Sequence, residues 1–90
     1  MPQVEIYTTR GCPHCVQAKR LLNDRELAYR EIDVQFNADA MTEMVRRSAR
    51  RTVPQVFVNG THIGGNDDLQ IAARNGDLAE HLIATTNSVA

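Results

Sequence analysis

The sequence predicts an α/β fold: a mixed four-stranded β-sheet flanked by helices, in the order β-α-β-α-β-β-α-α. Three observations lead there. Short β-rich runs alternate with segments of helical periodicity, so the first β-α-β unit implies parallel neighbours joined by a right-handed crossover. The dipeptide Asn59-Gly60 between two apolar runs is a strong hairpin signal, which adds an antiparallel pair. Ninety residues hold one hydrophobic core, and no linker, repeat or low-complexity stretch divides residues 1–90 into more than one domain.

The elements follow in order. Residues 3–8, QVEIYT, form the first strand, with Val4 and Ile6 on one face and Tyr7 on the other. Pro13 to about Arg25 is helical, because Cys15, Ala18 and Leu22 recur at helical spacing with Leu21 beside them. Residues 28–34, AYREIDV, alternate again: Tyr29 and Glu31 oppose Ile32 and Val34. Residues 37–49 form a second helix capped by Asn37, with Met41, Met44, Val45 and Ser48 in one stripe. Val56 to Val58 and Thr61 to Ile63 are the strands on either side of Asn59-Gly60. Asn66 to about Asn75 and Asp77 to about Thr85 are two short helices split by Gly76, and the small polar tail, residues 86–90, is expected to fray.

Composition narrows the function. Net charge is −1, with 42% hydrophobic and 23% charged residues, which argues against nucleic acid as the main partner. No apolar run approaches the roughly 20 residues that span a bilayer, so no membrane association is expected. The opening MPQVEIY carries no basic stretch followed by an apolar segment, so no secretory leader is expected and a cytoplasmic location is. In that compartment a permanent disulfide is improbable, and two close cysteines point to catalysis or metal binding.

Those cysteines are Cys12 and Cys15, in TTRGCPHCVQAKRLL. With the helix starting at Pro13, Cys12 takes the cap position, and free backbone N–H groups and the positive end of the helix dipole point at its sulfur. The thiolate is the nucleophile, and an ordinary cysteine ionises near pH 8.5. Lowering that by about 3 units requires roughly 4 kcal/mol. A helix terminus supplies about 0.3–2 kcal/mol, so direct N–H···S bonds, the Cys15 thiol and Arg10 must share the task. Cys12 is therefore expected to be exposed and ionised near neutral pH. Cys15, one turn further in, is expected to be more buried and less acidic, which makes Cys12 the nucleophile and Cys15 the resolving thiol. A zinc site built from Cys12, Cys15, His14 and His62 is the competing reading. It is set aside because there is no second cysteine pair and His14 projects outward, so no metal is expected.

The chain resembles the glutaredoxin family, dithiol class. CPHC is similar to that family's C-P-Y-C site, with His14 in place of the tyrosine. TVPQVFVNGTHIGG resembles its T-V-P strand, hairpin and Gly-Gly turn, and NDDL the opening of its next helix. The resemblance runs from the first strand through the penultimate helix, and the three motifs in order and at the right spacing are specific. It implies a thioredoxin fold, glutathione as the reducing cosubstrate with no tightly bound cofactor, and reduction of protein disulfides and glutathione mixed disulfides. The partners it implies are glutathione, disulfide-containing or glutathionylated proteins and, indirectly, NADPH and glutathione reductase; a monomer is expected.

The same resemblance implies a site. Pro54 is a cis-proline in the family, leaving the Val53 N–H and C=O to pair with an extended tripeptide as an added strand, with Thr52 at the same rim. Gly64-Gly65 permits close backbone approach, and the next helix offers the Asn66 and Asp67 amides to the γ-glutamyl carboxylate. The ammonium is then expected on the side chain of Asp67 or of Asp68. His14 is placed beside the cleft. Departures from the family pattern are Thr9, where lysine is common, so that Arg10 is expected to take the glycine carboxylate, and Asn66, where some members have a further cysteine. Arg46, Arg47, Arg50 and Arg51 are expected to form a solvated face at the end of the second helix, with steering of anionic glutathione or a partner protein as the alternative. Two alternatives stay open: a thioredoxin-like electron donor reduced by a flavoprotein reductase, and a glutaredoxin that binds an iron–sulfur cluster between two subunits.

Overall fold

Four consecutive buried residues, Gln55–Val58, explain the layering of this molecule. The computed structural model describes residues 3–89, with side-chain surroundings given for 3–83. The elements are β1 (Val4–Thr8), α1 (Pro13–Asp24), β2 (Arg30–Asp33), α2 (Ala38–Ser48), β3 (Gln55–Val58), β4 (Thr61–Gly64), α3 (Asn66–Asn75) and α4 (Asp77–Val89). They form one sheet in the order β2-β1-β3-β4. β1 runs parallel to β2 and antiparallel to β3, and β3 pairs antiparallel with β4. This is the expected mixed sheet and element order.

A strand buried along its whole length needs cover on both faces, and side chains of alternate residues supply the two cores. Val56 and Val58 join Val4, Ile6, Ala18, Leu22, Leu69 and Leu78 on the face covered by α1, α3 and α4. Phe57 points the other way and packs with Tyr7, Val34 and Met44 under α2. The predicted helix stripes are the buried ones: Cys15, Ala18 and Leu22 on α1, Met44 and Ser48 on α2. Asn37 caps α2 by accepting from the Ala40 N–H at 3.1 Å.

Asn59 and Gly60 both have positive φ, 52° and 83°, the geometry a two-residue hairpin needs to match strand twist. The β3–β4 register slips by one residue between Val56 and Phe57, so β4 carries a bulge after His62. That bulge turns Gly64 and Gly65 back toward the start of α3.

Three predicted boundaries or surfaces change. β2 starts at Arg30, not residue 28, its first pairing being Arg30 with Glu5 of β1. α4 continues to Val89, past Thr85, since no glycine or proline stops it. The expectation of a frayed tail falls on residues 84–90, whose side chains, and for Ala90 the backbone too, lie outside the described residues. Arg47 is no part of a solvated face: its guanidinium lies 3.9 Å from the Phe57 ring centroid and donates to Tyr7 Oη at 2.9 Å and Glu5 Oε1 at 3.0 Å. Arg46 is exposed beside Glu43 as expected.

Phe57 thus meets Tyr7 edge-on at 5.7 Å and Arg47 on its face. Phe57→Ala is predicted to cost about 3–5 kcal/mol. Urea unfolding measures it, and a loss below about 1 kcal/mol would mean that this second core is not a structural unit.

Candidate active site

The chemistry starts where α1 starts. Cys12 has extended backbone angles and caps the helix with its own side chain, its Sγ accepting from the Cys15 N–H at 3.1 Å. Pro13 fills the first helical position, where no donor is needed. An amide aimed at sulfur favours negative charge there. On its other side the Cys12 thiol donates a long contact, 3.9 Å, to the Val53 carbonyl. Cys12 is consequently half-buried rather than exposed, because the segment before Pro54 leans on it.

Cys15 is 1% exposed. Burial pushes its thiol up to about 12, aided by the hydrogen bond and charge of Cys12, while the Thr9 backbone and the Lys19 ammonium pull it down. At neutral pH Cys15 carries its proton. One turn of helix therefore presents two sulfurs with different access, the inner one protonated.

A groove of about 220 Å3 runs past this helix start. One wall is Thr52, Val53 and Pro54, whose Val53–Pro54 peptide is cis. The opposite wall is Gly65, Asn66 and Asp67 at the N-terminus of α3, and His14 stands exposed at the edge. Gly64 allows the walls to approach: its φ is +127°, and a Cβ there would lie 2.3 Å from Asp68 Oδ2. Asp68 uses one oxygen twice: its Oδ2 accepts from the Gly65 N–H at 3.0 Å and from Arg50 at 2.9 Å. The Arg50 hydrogen bond, then the Gly65 N–H, holds its carboxyl below the usual range. Asn66 is buried and ties α3 to α1, donating to Gln17 at 2.9 Å and accepting from Gln70 at 3.1 Å.

Behind the Thr52 wall, buried Gln55 donates to the Thr52 carbonyl at 3.0 Å and hydroxyl at 3.2 Å. Its own oxygen lies 2.7 Å from His62 Nε2, which must then carry the proton. Burial and the nearby Arg50 and Arg47 charges push the His62 pKa down. A second cavity, of about 150 Å3, is lined by Cys12 and Cys15 together with Arg10, Lys19, Glu31 and Asp33. Arg10 pairs with Asp33 at 3.7 Å and lies 5.9 Å from the Phe36 ring centroid.

Comparison with known proteins decides what this constellation belongs to. The family profile described as Glutaredoxin matches residues 4–63. Glutaredoxin 3 of Escherichia coli K12 is 45% identical over 78 residues, covering 87% of this chain and 94% of that protein. This chain belongs to the glutaredoxin family. The solution structure of a glutaredoxin from Brucella melitensis superposes with a TM-score of 0.77 at 41% identity, covering 89% of this chain and 87% of that one. The crystal structure of a buckwheat glutaredoxin–glutathione complex superposes with a TM-score of 0.80 at 27% identity, over 90% and 76% of the two chains. The fold is thus the thioredoxin fold.

Of the residues singled out from the glutaredoxin sequence, the structure gathers His14, Thr52, Val53, Pro54, Gly65, Asn66 and Asp67 in one groove beside Cys12 and Cys15. It does not bring Arg10 there: Arg10 lines the second cavity. Arg50 is the guanidinium in the groove, which the arginine cluster at the end of α2 hid among four similar residues. No local pattern could pair it with Asp68, 18 positions away. Lys19 had a signal, four residues after Cys15 on the same helix face. Among the described residues, no group of three or more His, Cys, Asp or Glu is placed to hold a metal ion.

Asp68→Asn keeps the size of the side chain and removes its charge. A stability loss of about 1 kcal/mol near neutral pH is predicted, small because Arg50 and Asp68 are each nearly half exposed. Since the folded carboxyl lies below its ordinary value of 3.8, the stabilisation is complete above that value and is lost as pH falls through the lower folded one. Thermal melts of both proteins near neutral pH and near about pH 2 check this; an undiminished gap in acid would contradict it.

Proposed function

We propose that this glutaredoxin is a glutathione-dependent thiol–disulfide oxidoreductase that reduces protein disulfides and glutathione mixed disulfides. The observation that carries the reading is the inequality of the two sulfurs: Cys12 half-open and hydrogen-bonded at a helix start, Cys15 buried with its thiol raised. In the first step the Cys12 sulfur attacks a substrate disulfide, forming a mixed disulfide and releasing one substrate thiol. Cys15 then displaces the second, leaving Cys12–Cys15 oxidised. Two molecules of glutathione restore the dithiol, becoming glutathione disulfide, which NADPH and glutathione reductase recycle.

Glutathione binds as an added strand segment along Thr52, Val53 and Pro54, its backbone paired with Val53. Its γ-glutamyl carboxylate lies on the Asn66 and Asp67 amides at the α3 N-terminus, a natural anion seat, with Gly65 allowing the approach. The ammonium pairs with Asp67, since Asp68 already serves Arg50 and Gly65. Arg50 adds positive charge at that end, and His14 closes the edge. Arg10 is left out of the groove because Asp33 engages it elsewhere. The protein acts as a cytoplasmic monomer. No helix among the described residues is long and apolar enough to cross a membrane.

A coupled assay with NADPH, glutathione reductase and a small glutathionylated disulfide tests this. Cys15→Ser is expected to retain that activity, which needs one thiol, while reduction of a protein disulfide falls to near background. Equal and complete loss of both would rule out the division of labour. Asp67→Ala is expected to raise the KM for glutathione roughly five- to tenfold, the loss of about 1 kcal/mol of ion pairing. An unchanged KM would move the γ-glutamyl end elsewhere.

A further inference from the structure

The cavity lined by Cys12 and Cys15 is also lined by a charged pair, Lys19 and Glu31, that the mechanism above leaves unused. Lys19 follows Cys15 by four residues in α1, so the two side chains leave the same helix face with Cβ atoms about 5–6 Å apart. The Lys19 ammonium lies 3.0 Å from Glu31 Oε2, and the same oxygen accepts from the Thr8 hydroxyl at 2.8 Å. Thr8 ends β1 and Glu31 lies on β2, so the ammonium is tied to the sheet at the cavity wall, and its side chain is only 28% exposed.

We propose that Lys19 supplies the positive charge against which Cys15 becomes a nucleophile when it displaces substrate from the Cys12 mixed disulfide. The inference rests on the roles given to Cys12 and Cys15 above. In that step the Cys15 S–H bond breaks, its proton passing to water, and the sulfur electron pair forms the Cys12–Cys15 bond. The bond between Cys12 and the substrate sulfur breaks, and the departing sulfur keeps that electron pair and takes a proton from water. The enzyme dithiol ends oxidised and the substrate disulfide reduced, with no other reductant entering.

The need for charge follows from what opposes ionisation of Cys15. Burial is the largest opposing cause, followed by the hydrogen bond to Cys12 and the charge on Cys12. Both Cys12 contributions end once that sulfur is bonded to substrate and neutral. Burial remains, and the groups acting against it are the Thr9 backbone and Lys19. The other charged groups at the cavity are Glu31, Asp33 and Arg10. The two carboxylates disfavour a thiolate, and Arg10 faces Asp33. Lys19 is the cation on the Cys15 face.

Rapid mixing with excess dithiobis(nitrobenzoate) tests this directly. Attack by Cys12 releases one coloured thiolate at a rate proportional to reagent, and displacement by Cys15 releases a second at a rate independent of it. Loss of a nearby cation moves a thiol pKa by about 1–3 units, and the gain in intrinsic nucleophilicity offsets about half of that effect on a logarithmic scale. Lys19→Met is therefore expected to slow the reagent-independent phase roughly 3- to 30-fold near neutral pH and to shift its pH profile to the alkaline side. Lys19→Arg, which keeps the charge, is expected to stay within about threefold of the parent. A reagent-independent phase unchanged in Lys19→Met, both phases slowed by one factor, or Lys19→Arg as slow as Lys19→Met would each overturn the proposal. Absence of the reagent-proportional phase in the parent protein would instead remove the Cys12 assignment, and this inference with it.

Discussion

Everything functional in this chain depends on where α1 begins. Cys12 supplies the cap, Pro13 the first turn, and the Cys15 N–H closes onto the Cys12 sulfur. The same few bonds both terminate the loop after β1 and hold a sulfur beside the Val53 wall of the groove. A serine or asparagine would cap as well, with oxygen as acceptor. The choice of cysteine converts an ordinary helix start into a site where a backbone amide meets a potential anion. The cap is modest in energy, about 1 kcal/mol, yet it sets the direction of the reactive atom.

That helix start is held in place by the sheet rather than by itself. β1 leads directly into it, and Thr8 at its end is buried, its carbonyl accepting from the Val34 N–H at 2.9 Å. β3 leads out of Pro54 and pairs antiparallel with β1, so the loop that carries Cys12 and the wall that touches it hang on adjacent strands with fixed register. Gln55 ties the Thr52 turn back to the sheet and to His62 on β4. The Asn66–Gln17 bond fixes the third wall against α1 itself. Each wall of the groove is thus referenced to the same two central strands or to the helix that carries the sulfur.

Local pattern made much of this legible. Proline after a cysteine marked the helix start, Asn59-Gly60 marked the hairpin, and alternation correctly sent Val4 and Ile6 to one face and Tyr7 to the other. Seven of the ten residues singled out for the site share the groove, and Cys12 and Cys15 sit at the helix start beside it. What stayed hidden was set by distance along the chain. Arg47 looked like one of four surface arginines, and only the packed sheet reveals Tyr7, Glu5 and Phe57 around it, about 40 positions or more away for the first two. The strand limits of β2 depended on its pairing with β1, which its own residues do not encode.

The charge balance of the groove was hidden for the same reason, and it bears on recognition. Two adjacent aspartates at a helix start read as one acidic cluster, yet the fold treats them oppositely. Asp68 turns its Oδ2 to the Gly65 N–H and to Arg50, which partly balances its charge. Asp67 is exposed and makes no ion pair among the described residues. The site therefore offers one carboxylate beside a set of helix N-terminal amides, a negative and a positive feature a few ångströms apart. An α-amino acid group carries the complementary pair, ammonium and carboxylate on one carbon. A ligand whose end is a simple carboxylate would meet Asp67 unpartnered and be disfavoured by it. In the proposed glutathione seat, that discrimination rests on the place Asp68 takes against Gly64, where a Cβ would lie 2.3 Å from its Oδ2.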